Sequence, residues 1–153
     1  QPLTHAIQTV TEGISKLSIS PKEQTGSTNT GEAFTTALTE LTSKDHSTEA
    51  RKVIVLLTDG LATAPDKDPE AVALQNAQLA KDSGVTVFAI GLGKQVNMEF
   101  IKQLASSPTQ AYQALTTSDV DRIYQTITAS LCEDGAAVID IIPKTDASFA
   151  PLQ

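Results

Sequence analysis

Lys52-Val53-Ile54-Val55-Leu56-Leu57-Thr58-Asp59-Gly60 sets five consecutive apolar residues between a charged residue and a polar turn. An apolar run without alternation is how a strand covered on both faces reads, and parallel strands are buried in that way between helices. The stretch therefore predicts a central parallel strand over residues 53–57. Ligands of open α/β sheets gather beyond the carboxyl ends of the strands. Asp59 stands where a binding carboxylate belongs, and Gly60 lets the backbone turn away. From this stretch alone, an aspartate that merely caps the next turn reads equally well.

Working outward, Leu3, Ile7, Val10, Ile14 and Leu17 recur at helical spacing and predict an apolar helix face over 3–17. A polar loop over 18–31 ends in Gln24-Thr25-Gly26-Ser27-Thr28-Asn29-Thr30-Gly31. A second helix follows, with Ala33, Phe34, Ala37, Leu38 and Leu41 as its buried stripe, and residues 43–50 form a solvated connection. Beyond Gly60, Asp68 and Pro69 read as the cap and first position of a helix whose inward residues are Val72, Ala73, Ala77, Leu79 and Ala80. A second strand spans 85–90, closed by Gly91-Leu92-Gly93. A helix over 97–106 turns Met98, Ile101, Leu104 and Ala105 inward. A short strand over 111–115 precedes the last helix, over 119–131, with Val120, Ile123, Tyr124, Ile127 and Leu131 on its buried face.

Helices alternating with strands predict an α/β fold: a doubly wound, mostly parallel sheet with helices on both faces. The character changes after Cys132. Glu133-Asp134-Gly135 reads as a turn, and Val138-Ile139-Asp140-Ile141-Ile142 as a strand stopped by Pro143. The expected division is a domain over 1–132, then a linker or the start of a β-rich module over 133–153. The strand of that module is expected to be more exposed than residues 53–57.

A chain of 153 residues is the length of one domain with a sizeable core. Its net charge of −7 argues against binding nucleic acid or anionic membranes through a basic surface. No apolar run approaches the ~20 residues of a membrane span. The chain opens on Gln1, already inside a helical period, and reads as a piece of a longer polypeptide. With one cysteine, Cys132, no internal disulfide can form; a buried free thiol and a pairing outside these residues both remain open.

Enzyme motifs fail one by one. Gly91-Leu92-Gly93 after a strand suggests a dinucleotide turn, but Val96 holds the place of the third glycine. Neither a phosphate-cradling loop nor a nucleophile elbow occurs. One cysteine and two scattered histidines do not assemble a zinc site. What remains is Thr28 in one loop and Asp59 at a strand end. A hydroxyl and a carboxylate at one sheet edge are hard oxygen ligands, suited to Mg²⁺, Ca²⁺ or Mn²⁺.

The order and spacing of four blocks then resemble the carboxyl-terminal part of a von Willebrand factor type A domain. They are Gly26-Ser27-Thr28-Asn29-Thr30-Gly31-Glu32-Ala33, residues 53–60, residues 85–93 and the closing region 112–131, and the resemblance covers residues 3–132. It implies a metal-ion-dependent adhesion site built from a D-x-S-x-S loop, a threonine and a strand-end aspartate. Thr28 would be the threonine, with Thr30 the near alternative, and Asp59 the aspartate. The departure is that no D-x-S-x-S occurs: Asp45-His46-Ser47-Thr48 and Asp82-Ser83-Gly84-Val85 both fail it. The family carries that motif at the end of its first strand, ahead of where this chain begins. The expectation is a metal site incomplete in this stretch, with weak or absent cation binding by it alone, and an unpaired sheet edge.

The expected function is adhesion or protein–protein binding without catalysis, at the cell surface or outside the cell. The cation accepts an acidic side chain from a protein partner, Asp59 supplying negative charge through a water and Thr28 a neutral oxygen. The rivals are a metal-independent scaffold or accessory domain of an enzyme complex and, more remotely, a nucleotide-binding enzyme using Gly91 and Gly93. By the resemblance, Cys132 closes the last helix where the ends of such a domain meet, and would pair with an upstream cysteine.

Overall fold

A computed structural model describes residues 6–16, 27–44, 49–65 and 67–133. Its elements run α1 (Ile7–Ser15), α2 (Thr30–Leu41), β1 (Val53–Thr58), α3 (Pro69–Asp82), β2 (Thr86–Leu92), α4 (Met98–Leu104), β3 (Ala111–Ala114) and α5 (Thr117–Glu133). The strands form a parallel sheet in chain order, β1-β2-β3, with Val53 opposite Thr86 and Ala89 opposite Ala111. Each parallel step is made through one helix, α3 or α4.

Alternation along β2 divides the core. Val87 and Ala89 face α2, α3 and α4, where they pack with Phe34, Ala73, Ala77, Ala80, Phe100, Ile101 and Leu104. Phe88 and Ile90 face α5, against Ile123 and Ile127. Each fully buried large side chain in such a cluster contributes about 1.5–3 kcal/mol. Small residues let helices approach: a methyl on Gly31 would lie 2.9 Å from Val72 Cγ1, so the start of α2 sits hard against α3.

β2, rather than β1, is the central strand among the described residues. Val53 to Leu56 are only half-buried, and Leu57 is 44% exposed. The cause is cover. On the face of Val53 and Val55, α5 is the one covering helix among the described residues, and it packs mainly on β2 and β3. A continuous apolar run shows that both faces of a strand are apolar, without showing that each finds a helix. The expected open edge is present on β1, which has a strand neighbour on one side only among the described residues.

The same limit governs α1. It has the predicted period, yet Ile7, Val10 and Ile14 are 77%, 40% and 63% exposed and nothing in the helix is buried. Leu3 and Leu17 lie outside the described residues. Three other assignments move: Ala33, Leu79 and Tyr124 are exposed, not inward. Phe100 enters the core on α4 in addition to the expected residues. Asp68 precedes Pro69 as expected, but it adopts the left-handed backbone at φ 52° and its side chain makes no capping bond. The boundary region beyond Glu133 and the predicted strand over 138–142 lie outside the described residues.

Candidate metal-ion site

β1 ends at Thr58, which also ties the turn after it. The Thr58 hydroxyl donates to the Gly60 carbonyl at 3.0 Å and accepts from the Gly60 amide at 3.4 Å. Asp59, between them, is exposed, and its carboxylate has no hydrogen bond or ion pair among the described residues. The chain then folds back. Ala62 enters the core beside Phe34 and Ala73, while Thr63 and Ala64 donate their amides to the Thr28 carbonyl at 2.8 and 3.1 Å. The Thr28 amide returns a bond to Thr63 Oγ1 at 2.7 Å. The loop after Asp59 and the loop bearing Thr28 are thus one hydrogen-bonded unit at the carboxyl edge of the sheet.

Behind Thr28, the Asn29 carboxamide oxygen accepts the Glu32 amide at 3.0 Å and starts α2, as an N-cap should. Asn76 Nδ2 reaches from α3 to the Gly31 carbonyl at 3.0 Å and to Thr35 Oγ1 at 3.1 Å, fixing that first turn. Thr28 is half-buried and its hydroxyl is uncommitted among the described residues. Thr30, the alternative, lies inside the first turn of α2 at 3% exposure. Thr63 went unnoticed in the sequence, because a threonine in an aperiodic loop carries no signal of what it will bond.

Thr28 and Asp59 fit a hard cation in kind: one neutral and one anionic oxygen, neither engaged elsewhere. They do not complete a site, since Mg²⁺ and Ca²⁺ take about six to eight oxygens. Among the described residues no group of three or more His, Cys, Asp or Glu could hold a metal.

The glycines after β2 are used in packing and turning. A methyl on Gly91 would meet Val96 Cγ2 at 2.8 Å and Ile101 Cγ1 at 3.3 Å, and Gly93 turns the chain at φ 85°. Val96, which replaces the third glycine of a dinucleotide turn, is itself the side chain that Gly91 accommodates. Farther along this edge, Asp119 Oδ2 accepts the amides of Leu115 and Thr116 at 3.1 and 2.9 Å and the Thr116 hydroxyl at 2.9 Å, while Arg122 pairs with its other oxygen. The Thr116 hydroxyl first, then Arg122, hold this carboxyl below the ordinary 3.8. Between β1, β2 and the start of α5 lies an open groove of about 470 Å³, lined by Leu57, Leu92, Ala114, Leu115 and Val120.

These features define a doubly wound α/β domain with two uncommitted side-chain oxygens, of Thr28 and Asp59, and an apolar groove at the carboxyl edge of its sheet. The chain belongs to the von Willebrand factor type A domain family, which it matches over residues 2–128. It is 32% identical over 111 residues to the human collagen alpha-1(XXI) chain, covering 71% of this chain and 11% of that one. It is 30% identical over 115 residues to cuticlin-6 of Caenorhabditis elegans, covering 72% and 18%. In fold it is similar to proximal thread matrix protein 1 of the mussel byssus, at TM-score 0.69 and 21% identity over 86% of this chain and 33% of that one. A further structure of the mussel protein, described as having a zinc-occupied MIDAS motif, aligns at TM-score 0.64 and 25% identity over 82% and 29%. The chain therefore spans a third or less of the proteins it resembles. Those relatives are proteins of the extracellular matrix, in agreement with the expected setting outside the cell.

Proposed function

We propose that this domain binds a protein partner in the extracellular matrix through a divalent cation held at the carboxyl edge of the sheet, with Thr28 and Asp59 among its ligands. The observation that carries the reading is the pair of uncommitted oxygens on two loops that are bonded to one another through Thr28 and Thr63. Bonded loops hold ligands at fixed positions, which strengthens binding by lowering the ordering cost. Asp59 supplies negative charge and Thr28 a neutral oxygen, and the remaining donors are water or residues beyond those described. When bound, the cation, Mg²⁺, Ca²⁺ or Mn²⁺, supplies the attraction for an acidic side chain of the partner. The zinc-occupied motif of the mussel relative supports a cation here, and the collagen and cuticlin relatives support a binding rather than a catalytic role.

A metal-independent scaffold is the second reading, favoured by the small number of protein donors among the described residues. Titration calorimetry of the full-length protein with Mg²⁺ and Mn²⁺ separates the two. The expected result is saturable cation binding that Asp59→Ala removes while the melting temperature of the metal-free protein stays unchanged. Partner binding that survives both this substitution and a chelator would favour the scaffold.

A further inference from the structure

Asp59-Gly60 is one of two Asp-Gly pairs in the sequence and the one among the described residues; the other is Asp134-Gly135. It lies past the end of β1, outside any helix or strand, with Asp59 exposed and its carboxylate uncommitted among the described residues. The Gly60 amide is loosely held. Its contact to Thr58 Oγ1, at 3.4 Å, is longer than the roughly 2.7–3.2 Å of an ordinary N–H···O bond. Nothing lies within 4 Å of where a Gly60 Cβ would stand, so that side of the turn is open. A carboxyl carbon and the next backbone nitrogen are thus neighbours, neither firmly engaged and no side chain crowding the approach. Other aspartates lack one of these conditions. Asp68 precedes Pro69, which has no N–H. The Asp82 carboxylate accepts from Gln78 at 2.8 Å, and the Ser83 amide that follows it donates to the Leu79 carbonyl at 3.1 Å. Asp119 is tied to Thr116 and Arg122.

We infer that Asp59 is a modification site, where the main chain rearranges spontaneously to isoaspartate, and that a bound cation restrains the rearrangement. The Gly60 nitrogen attacks Asp59 Cγ and forms an N–Cγ bond. One carboxylate oxygen leaves as water, taking the amide proton and a proton from solvent, and a cyclic succinimide remains. Water then adds to the former main-chain carbonyl of Asp59 and breaks its bond to the Gly60 nitrogen. One proton returns to that nitrogen and one to solvent. Nothing is oxidised or reduced, and the mass is unchanged. The chain to Gly60 now runs through Cβ and Cγ, while the free carboxylate sits directly on Cα, shorter by a methylene. Opening at Cγ instead restores aspartate. The restraint rests on the cation-binding reading above; the rearrangement itself does not. A coordinated carboxylate is held in one orientation, whereas attack needs the side chain to swing back over the Gly60 nitrogen. The metal-free domain therefore loses its Asp59 ligand with time, and the loaded domain keeps it.

The test incubates the full-length protein at neutral pH and body temperature for several weeks, in Mg²⁺ or in EDTA, and then digests it with trypsin. Asp59 falls in the peptide between Lys52 and Lys67, and Asp134 in that between Arg122 and Lys144, so the two pairs are read separately. Electron-transfer fragmentation distinguishes isoaspartate from aspartate in peptides of equal mass. In EDTA, isoaspartate should accumulate at Asp59 while the protein stays folded. In Mg²⁺ the rate at Asp59 should fall several-fold and that at Asp134 should not change. Gly60→Ala fits the open space at a residue that takes no positive φ, and should slow the rearrangement several-fold without unfolding the protein. An Asp59 peptide that stays unmodified in the folded protein yet rearranges after unfolding in urea overturns the inference, as does a Gly60→Ala rate equal to the parent's. Equal rates in Mg²⁺ and EDTA uphold the modification site. If calorimetry then shows cation binding, they overturn only the restraint; if it shows none, the cation reading falls with it.

Discussion

Thr28 and Thr63 hold each other: the amide of Thr28 donates to the hydroxyl of Thr63 at 2.7 Å, and the amide of Thr63 donates to the carbonyl of Thr28 at 2.8 Å. One loop leads into α2 and the other leaves β1, so the pair sets the Thr28 hydroxyl relative to the strand that ends at Asp59. Thr63→Val keeps the shape of the side chain and removes the acceptor. It should cost about 1 kcal/mol in urea unfolding and weaken cation binding several-fold in calorimetry. Unchanged affinity would mean that the Thr28 loop is positioned by something other than Thr63.

Gly91 makes room for Val96. Gly91→Ala should destabilise the protein by about 1–3 kcal/mol, the range for overpacking a well-filled core. Because the close atoms belong to Val96, Val96→Ala should absorb much of that cost when combined with it, although it leaves a small cavity of its own. A thermal or urea double-mutant cycle reads this as strong coupling between the two positions. Simple additivity would place the strain elsewhere in the backbone of β2.

The start of α5 gives an acid-dependent contribution. The carboxyl of Asp119 titrates below its ordinary value of 3.8 in the folded protein, through its bonds to Thr116 and Arg122. A depressed carboxyl adds stability above its unfolded pKa and loses it as pH falls through the folded value. Asp119→Asn should therefore lower the melting temperature at pH 7, and the gap from the parent should narrow as pH drops below 3.8. A gap constant from pH 7 to pH 2 would show that the loss comes from the changed side-chain geometry and not from the charge of the carboxylate.

Cys132 is exposed on the last turns of α5, and it is the sole cysteine of the sequence. In an oxidising, extracellular setting an exposed thiol at a domain's end is expected to be paired. Non-reducing mass spectrometry of the native full-length protein should find Cys132 disulfide-linked to a cysteine outside residues 1–153. Maleimide labelling before reduction would contradict that pairing.

The strands and the helices were legible in the sequence because each leaves a local mark. Residues 53–57 are a continuous apolar run and 85–90 one broken only by Thr86, and Pro69 and Gly84 punctuate α3 at its first position and just past its end. What the sequence does not carry is cover. The stripe Ile7, Val10 and Ile14 has the period of a buried face and is exposed, while Phe100, outside the counted stripe, is buried. Periodicity identifies the apolar side of an element and leaves open whether another element lies upon it. The Thr28–Thr63 pair was hidden for a related reason. Its partners are 35 residues apart and neither belongs to a periodic segment.

A sheet whose spatial order repeats its chain order also has a preferred history. β1 meets β2 through α3, and β2 meets β3 through α4, so among the described residues no parallel pairing waits for a distant part of the chain. Loop closure of this modest length is entropically cheap, and proteins rich in such near-sequence contacts fold faster than those dominated by remote ones. The two successive β-α-β units, from Val53 to Ala114, are thus expected to assemble first, with β2 as the strand shared by both. The Thr28 loop would then dock on an edge already in place, so that Asp59 is positioned early in folding and the Thr28 hydroxyl, proposed to share its cation, arrives late.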